Sequence, residues 1–380
     1  TRIKKEVNNG YNVIVVVSAM AGETNRLINL VESLTNDYRT SEYDTVISSG
    51  EQVTSGLLAI ALNELGIKSK SYQGWQIPFE TDNNFSKANI KEIKQDKILF
   101  DLNDGYVIVV PGFQGVYQNR VTTLGRGGSD TTAVAIAAQV NASRCDIYTD
   151  VDGIFTTDPK IVSNAKKLDS ITMEEMLELA GQGAKVMQTR AVEFANKYNV
   201  PVRVLSSFNE GNGTLITLKG ESMENASVSG IAFQKDQIKF TLHGVGDVPG
   251  TAFRILGPIS DAEIEVDVIV QNVSVDGKTD FTFTVSSEDE DIVKKVLEDV
   301  KNDISFKKLI VDSNIAKVSL VGVGMRSQAG VASKAFKVLS ENDVNIQIIC
   351  TSEIKITMVV EKDLVDKAVE VLHKEFELER

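Results

Sequence analysis

The residues best placed by type and spacing to do chemistry lie in one glycine-rich stretch, Thr122-Thr123-Leu124-Gly125-Arg126-Gly127-Gly128-Ser129-Asp130-Thr131-Thr132, which runs directly into an alanine-rich segment. Glycines let backbone amides approach an anion, and a helix N-terminus adds partial positive charge there. The stretch therefore reads as an anion cradle. Arg126, held between glycines, adds a fork of donors suited to bidentate carboxylate recognition. The plainer alternative is a structural turn in which Ser129 or Asp130 caps the helix. It is not a Walker loop, and Gly277-Lys278-Thr279 has only that motif's last letters, with Asn272 where glycine is needed; that site reads as a hairpin turn.

Two further small-residue turns have the same character. Ser18-Ala19-Met20-Ala21-Gly22-Glu23-Thr24-Asn25 follows an apolar run, and Ser48-Ser49-Gly50-Glu51 follows another and opens a helix. In open α/β sheets ligands gather at the carboxyl ends of strands. Glu51 alone is a favourable charge in a helix's first turn, but three converging turns favour ligand contact. A fourth stretch, Tyr148 to Lys160, brings carboxylates, hydroxyls and glycine together and lacks the glutamate of a calcium loop; it reads as a nucleotide-contacting loop. Lys185, in Gly181-Gln182-Gly183-Ala184-Lys185, is expected to open a helix and either reach phosphates or stand exposed.

The elements that must position these residues follow from periodicity. Continuous apolar runs at Val13 to Val17, Thr45 to Ile47, Tyr106 to Val110, Asp146 to Tyr148 and Val202 to Leu205 predict strands buried on both faces. Thr54 to Leu65, Thr131 to Val140, Thr172 to Leu179 and Lys185 to Tyr198 read as helices. The alternation predicts an α/β sandwich up to about residue 225. Beyond Ser227 the strands alternate polar and apolar residues, as in Asp280-Phe281-Thr282-Phe283-Thr284-Val285, which predicts antiparallel sheet. A repeat lies here: Val245-Gly246 through Gly250 aligns with Val323-Gly324 through Gly330, and Ile264-Glu265-Val266 with Val344-Asn345-Ile346. The first copy reads βαββαβ, closing near Leu309 to Val311. The second ends one strand short at the helix Asp363 to Glu375, and Gly230 to Phe233 is the expected donor of that strand, which nests one module in the other.

Composition bounds the function. The chain has 380 residues, 40 Lys+Arg against 53 Asp+Glu and a net charge of −13, which points away from a nucleic-acid partner. No stretch reaches the roughly 18 apolar residues of a membrane span, and no signal peptide is recognisable. Cys145 and Cys350 form no disulfide framework or zinc motif, so no metal site is expected within the protein and the cytoplasm is the default. Thr1 is followed at once by a charged, helix-like stretch, Arg2 to Val7, and the chain is expected to lack its beginning.

Taken together, VSAMAGETN, SSGEQV, PGFQGV, TTLGRGGSDTT, YTDVDGIFTTDP and GAKV resemble, in order, the active-site signatures of the aspartokinases of the amino-acid kinase family. DVPG, QNVS, VNIQII and TSEIKI resemble that family's paired ACT regulatory domains. The resemblance covers essentially the whole chain. It implies a three-layer α/β sandwich with a mainly parallel sheet over residues 1–226, then two ferredoxin-like ACT domains. The first spans 237–313 and the second 314–380, with a strand from 227–236 lent to the second. It implies MgATP-dependent phosphorylation of the L-aspartate β-carboxylate, the first step of lysine, threonine and methionine biosynthesis. Position by position, it puts Thr24, Glu51, Phe113, Arg126, Ser129 and Asp130 on the aspartate side, and Thr149, Asp150, Lys160 and Lys185 on the ATP side. Arg126, Asp130 and Lys185 are the catalytic candidates. Asp247, Gly250, Gln271, Asn272, Asn345 and Ile346 become candidate contacts for lysine or threonine as effectors, in a homodimer or higher oligomer joined through the ACT domains. The sequence departs from the family in two places. The opening strand and Lys-Phe/Tyr-Gly-Gly loop, which would carry a catalytic lysine, do not precede Val13, and Lys160 stands where the family often has arginine. A noncatalytic amino-acid sensor and a kinase of glutamate or of a nucleotide are the competing readings.

Overall fold

The computed structural model describes residues 1–35, 39–184, 186–218, 228–272, 277–301, 304–327 and 330–379. The chain divides into two compact units, one of residues 1–154, 168–181 and 185–221, the other of 155–167, 182–184 and 222–380.

In the first unit the apolar runs form parallel sheet. Val107–Pro111, buried along its whole length, lies between Ile14–Val17 and Ser69–Ser71, with Ile14 beside Ile108 and Val17 beside Pro111. A second sheet runs in the order Cys145–Thr149, Val202–Ser206, Thr214–Thr217, Ser170–Thr172; only the middle pair is antiparallel. Burial on both faces explains why Val107–Pro111 reads as an unbroken branched run rather than an alternating one. A third sheet, of four strands, Ile90–Ile93, Phe79–Thr81, Gln114–Tyr117 and Arg120–Thr123, carries the approach to the glycine-rich loop.

The expected strand at Thr45 to Ile47 is instead the end of a helix, Ser41–Ile47. Thr40 caps it by accepting from the Tyr43 N–H at 3.2 Å, with Glu42 and Asp44 in its first turn. Those start signals outweigh a three-residue apolar run. The turn at Ser48 therefore follows a helix, not a strand, and leads directly into the helix Ser49–Glu64. The helix expected from Lys185 begins at Thr189 and ends at Tyr198.

The second unit is built on one six-stranded antiparallel sheet, in the order Asp267–Gln271, Lys278–Ser286, Gly230–Gly246, Lys308–Val321, Lys355–Glu361, Ile348–Thr351. Its two central strands run through both repeats. Gly230 to Gln234 pairs with Val321 to Lys317, while Lys239 to His243 pairs with Asp312 to Lys308, and the register breaks between Gln234 and Lys239. The strand segment at Gly230 thus lies beside a strand of the second module, and Lys308–Val321 closes the first copy while opening the second. Each half has its own core. Phe240 and Phe283 stack at 5.5 Å under the helices Thr251–Asp261 and Glu290–Asp299. Val318, Met358 and Leu372 fill the other half, under Val331–Glu341 and Val365–Glu375.

Buried charge also crosses between the halves. Lys317, 2 % exposed, pairs with Asp267, and Lys239 pairs with Asp312 at 3.0 Å while also donating to Gln347. Burial holds the Lys317 ammonium below its usual range against the pull of Asp267. Such a pair adds little net stability, and its removal from one side is costly.

Candidate active site

Three turns meet in the first unit, held by short contacts. Glu51, in the first turn of the helix Ser49–Glu64, is 3 % exposed, and its Oε1 accepts from the Ala19 N–H at 3.1 Å. Thr54 Oγ1 donates to the Ser18 carbonyl at 2.9 Å, tying the same helix to the turn after the first strand. Gln114 Nε2 donates to the Ser48 carbonyl at 3.3 Å, and the neighbouring Phe113 N–H donates to Thr132 Oγ1 at 3.2 Å. The segment Phe113-Gln114 therefore bridges the Glu51 turn and the glycine-rich loop. Phe113 adopts φ 70°, an uncommon conformation for a side chain of its size. Behind it, a Cβ on Gly112 would lie 2.6 Å from Ser129 Oγ and 2.8 Å from Ser129 Cα. Only glycine allows the strand end and the helix start to approach that closely.

The loop cluster holds a buried acid and an exposed guanidinium. Glu51 Oε2 is buried with no hydrogen-bond partner among the described residues. Burial pushes the carboxyl's pKa up, opposed by the Ala19 N–H. A buried acceptor in that position is stabilised by an arriving cation. Arg126 is exposed in the glycine-rich loop and has no hydrogen bond or ion pair among the described residues. It leads through Gly127, in the left-handed conformation, into the helix Gly128–Gln139, whose Gly128 N–H donates to the Gly125 carbonyl at 3.0 Å and whose first turn carries Ser129. Thr24 stands in the first turn of the helix Glu23–Glu32.

Asp130, in the first turn of Gly128–Gln139, is pushed up to about 6 by burial, partly offset by the Gln188 N–H. Its folded-state pKa lies above the ordinary aspartate value of 3.8, so the native state binds more protons between those values. Stability is then fully present below about pH 4 and declines as pH rises through about 6. Asp130→Asn removes the penalty. In thermal melts the variant should unfold at a higher temperature than the parent at pH 7.5, with the gap closing by pH 4; an equal gap at both pH values contradicts the assignment.

Thr149 ends the strand Cys145–Thr149, where its carbonyl accepts from the Ser207 N–H at 2.6 Å and its Oγ1 donates to Asp150 Oδ1 at 3.1 Å. Lys160 lies in the segment 155–167, which belongs to the second unit. Lys185 lies outside the described residues. Among the described residues no group of three His, Cys, Asp or Glu side chains is clustered to hold a metal ion.

Several supporting residues carry no sequence signal. Asp44, fully buried, accepts from the N–H and Oγ1 of Thr123, each at 2.7 Å, and from the Ser86 N–H at 3.0 Å, fixing the strand that enters the glycine-rich loop. Arg190 donates to the carbonyls of Leu124 and Ala88, each at 2.8 Å, and supports the loop from behind. Arg2 donates to the carbonyls of Ser206 and Asn209 and lies 4.8 Å from the Tyr148 ring centre, beside Thr149. All three act over long sequence separations, which spacing does not reveal.

In the second unit Asp247, Gly250 and Gln271 line an open cavity of about 380 Å³ at the start of the helix Thr251–Asp261, with Gln271 Nε2 donating to Asp247 Oδ1 at 3.5 Å. Asn272, Asn345 and Ile346 are not among its lining residues.

The first unit carries mixed α/β sheets and the second a two-module antiparallel sheet. Residues 1–206 match the amino acid kinase family, and 242–304 and 318–376 each match the ACT domain. The chain is 55% identical over 382 residues to the aspartate kinase of Pseudomonas fluorescens, covering 100% of this chain and 92% of that one. It resembles the crystal structure of E. coli aspartokinase III in complex with aspartate and ADP (R-state), with TM-score 0.78 and 27% identity over 98% of this chain and 81% of that chain. It also resembles the same enzyme's complex with lysine and aspartate (T-state), with TM-score 0.74 and 26% identity over 99% of this chain and 95% of that chain. The chain belongs to the aspartokinase branch of the amino acid kinase family, with two C-terminal ACT domains, and is a kinase.

Proposed function

We propose that this chain transfers the γ-phosphoryl group of MgATP to the β-carboxylate of L-aspartate, giving 4-phospho-L-aspartate, in the cytoplasm, as the entry to lysine, threonine and methionine biosynthesis. The observation that carries the reading is the buried Oε2 of Glu51, without a hydrogen-bond partner among the described residues, in a loop cluster that also presents the guanidinium of Arg126, unpaired among those residues. Glu51 receives the substrate ammonium and Arg126 its α-carboxylate, with Ser129, Thr24 and the Phe113 backbone shaping the pocket. The aspartate complex of the E. coli relative supports this choice of substrate.

A β-carboxylate is already ionised at pH 7, so the reaction needs no general base. A carboxylate oxygen attacks the γ-phosphorus in line; the new O–P bond forms as the bond to the β,γ-bridging oxygen breaks, and ADP leaves with that electron pair. The barrier is repulsion between anions and loss of orientation, which positioning and cationic stabilisation address. Thr149 and Asp150 hold the nucleotide, and Lys160 and Lys185 offset the charge on its phosphates. Magnesium arrives with the nucleotide, carried by phosphate oxygens. Asp130 organises the cluster.

Lysine, threonine or both act as feedback effectors on the ACT domains, where Asp247 and Gln271 meet an ammonium and the amides after Gly250 a carboxylate. The lysine complex of the E. coli relative supports an amino-acid effector. The ACT domains also join copies of the chain into a dimer or larger assembly. The test is ADP release from MgATP by the full-length protein. Aspartate should be preferred to glutamate by about tenfold or more in kcat/KM, and lysine and threonine, singly and together, should lower the rate. No ADP release with aspartate refutes the reading.

A further inference from the structure

Three parallel strands of the first unit end side by side. Ile14–Val17 leads to Ser18 and Ala19, Val107–Pro111 leads to Gly112 and Phe113, and Ser69–Ser71 leads into Tyr72-Gln73-Gly74-Trp75-Gln76, a turn with no assigned part in the chemistry. The Tyr72 N–H donates to the Val109 carbonyl at 2.9 Å, and Gln76 Oε1 closes the turn by accepting from the Gln73 N–H at 2.8 Å. Gln73 Nε2 donates to Ser55 Oγ at 3.3 Å, one helical turn beyond Glu51. The Ser55 hydroxyl spends its own hydrogen on the Gln52 carbonyl at 2.8 Å, so it can only accept from Gln73, whose amide oxygen is turned away from it. Gln114, 1 % exposed, is fixed in the same sense, because the Ser48 carbonyl can only accept from its Nε2. Gly74 lies against Gln114: a Cβ there would meet Gln114 Cγ at 3.3 Å and Oε1 at 3.5 Å.

Both amide oxygens are buried and, like Glu51 Oε2, have no hydrogen-bond partner among the described residues. Ser48, Glu51 and Ser55 recur at helical spacing, so Gln73, Gln114 and Glu51 meet on one face of the helix that opens the site. Orphaned buried acceptors call for a donor. With the amide nitrogens turned toward Ser48 and Ser55, this wall offers acceptors alone, and an ammonium group brings three donors and a charge.

We propose that Gln73 Oε1 and Gln114 Oε1 complete, with Glu51 Oε2, the receptor for the substrate ammonium group, and that this wall selects an amino acid over a dicarboxylate that lacks the amine. Two neutral amides beside one carboxylate supply hydrogen bonds without the repulsion that further carboxylates would bring to the ligand-free site. The inference deepens the proposed function and rests on its placing of the ammonium group at Glu51.

The experiment compares the full-length protein with Gln73→Met, Gln114→Met and Gln73→Glu, the last of which keeps an acceptor oxygen in place. Each is checked by thermal melting, by separate KM values for aspartate and ATP, and by competitive inhibition with succinate, which is aspartate without its ammonium group. Each Met variant should raise the aspartate KM by about tenfold to a hundredfold, with the succinate inhibition constant and the ATP KM within about twofold of the parent. Gln73→Glu should recover most of the loss. Parallel rises in the aspartate KM and the succinate constant mark a displaced wall rather than a lost acceptor and overturn the inference, as does an unchanged aspartate KM in both Met variants. Both of those results leave aspartate standing as the substrate. A parent that releases no ADP with aspartate overturns that assignment, and the inference with it. Should Gln114→Met fail to fold, or succinate inhibit too weakly to measure, the contrast between Gln73→Met and Gln73→Glu decides alone.

Discussion

Arg126→Ala should raise the aspartate KM by about a hundredfold, with the ATP KM within about twofold of the parent. Arg126 is exposed and has no partner among the described residues, so its loss removes no internal contact and the effect belongs to the ligand. Arg126→Lys keeps the charge without the planar fork and should recover only part of the loss. Glu51→Gln is the complementary change. It retains an acceptor for the Ala19 N–H but removes the charge facing the ammonium, and should raise the aspartate KM by about thirtyfold or more. Melting temperatures near the parent's, measured with the kinetics, separate this from a folding defect. Unchanged aspartate kinetics in both variants would reject the zwitterion site.

Gly112→Ala should reduce kcat/KM by about a hundredfold or more while lowering the melting temperature by only several degrees. The added methyl meets Ser129 at Oγ 2.6 Å, Cβ 2.7 Å and Cα 2.8 Å, so the strand end and the helix start must separate. That separation shifts the amides of Gly128–Gln139 away from the bridge made by Phe113 and Gln114, which spans the two halves of the site. A shift of about 1 Å is enough to cost two orders of magnitude in a reaction that depends on positioning. Parent-like steady-state constants for this variant would show that the two turns do not need to touch.

Much of this was legible in the sequence because it is local. The strands Ile14–Val17 and Val107–Pro111, the second of them buried throughout, announce themselves as unbroken branched runs, and the glycine-rich loop as glycines ahead of alanines. The repeat is equally plain, with Gly250 and Gly330 opening equivalent helices. Thr45 to Ile47 misled because three apolar residues fit a strand and a helix end equally well, and the Thr40 cap decides between them. The long strand Lys308–Val321 was hidden for a different reason. It serves two modules, so no turn separates the last strand of one from the first of the next. Asp44, Arg190 and Gln182 were invisible because each finds its partner through folding alone, across 79, 66 and 137 residues.

Glu51 and Asp130 are both held above their usual pKa by burial, a local cost to stability of the kind that functional sites carry.

The most direct measurement is chemical trapping of the product. The full-length protein is incubated with MgATP, L-aspartate and hydroxylamine, and the resulting hydroxamate is identified by mass spectrometry. An acyl phosphate on the β-carboxylate yields the β-aspartyl hydroxamate in step with ADP, with loss of both in Arg126→Ala at low aspartate. ADP formation with no hydroxamate, or a hydroxamate on the α-carboxylate, would contradict the account.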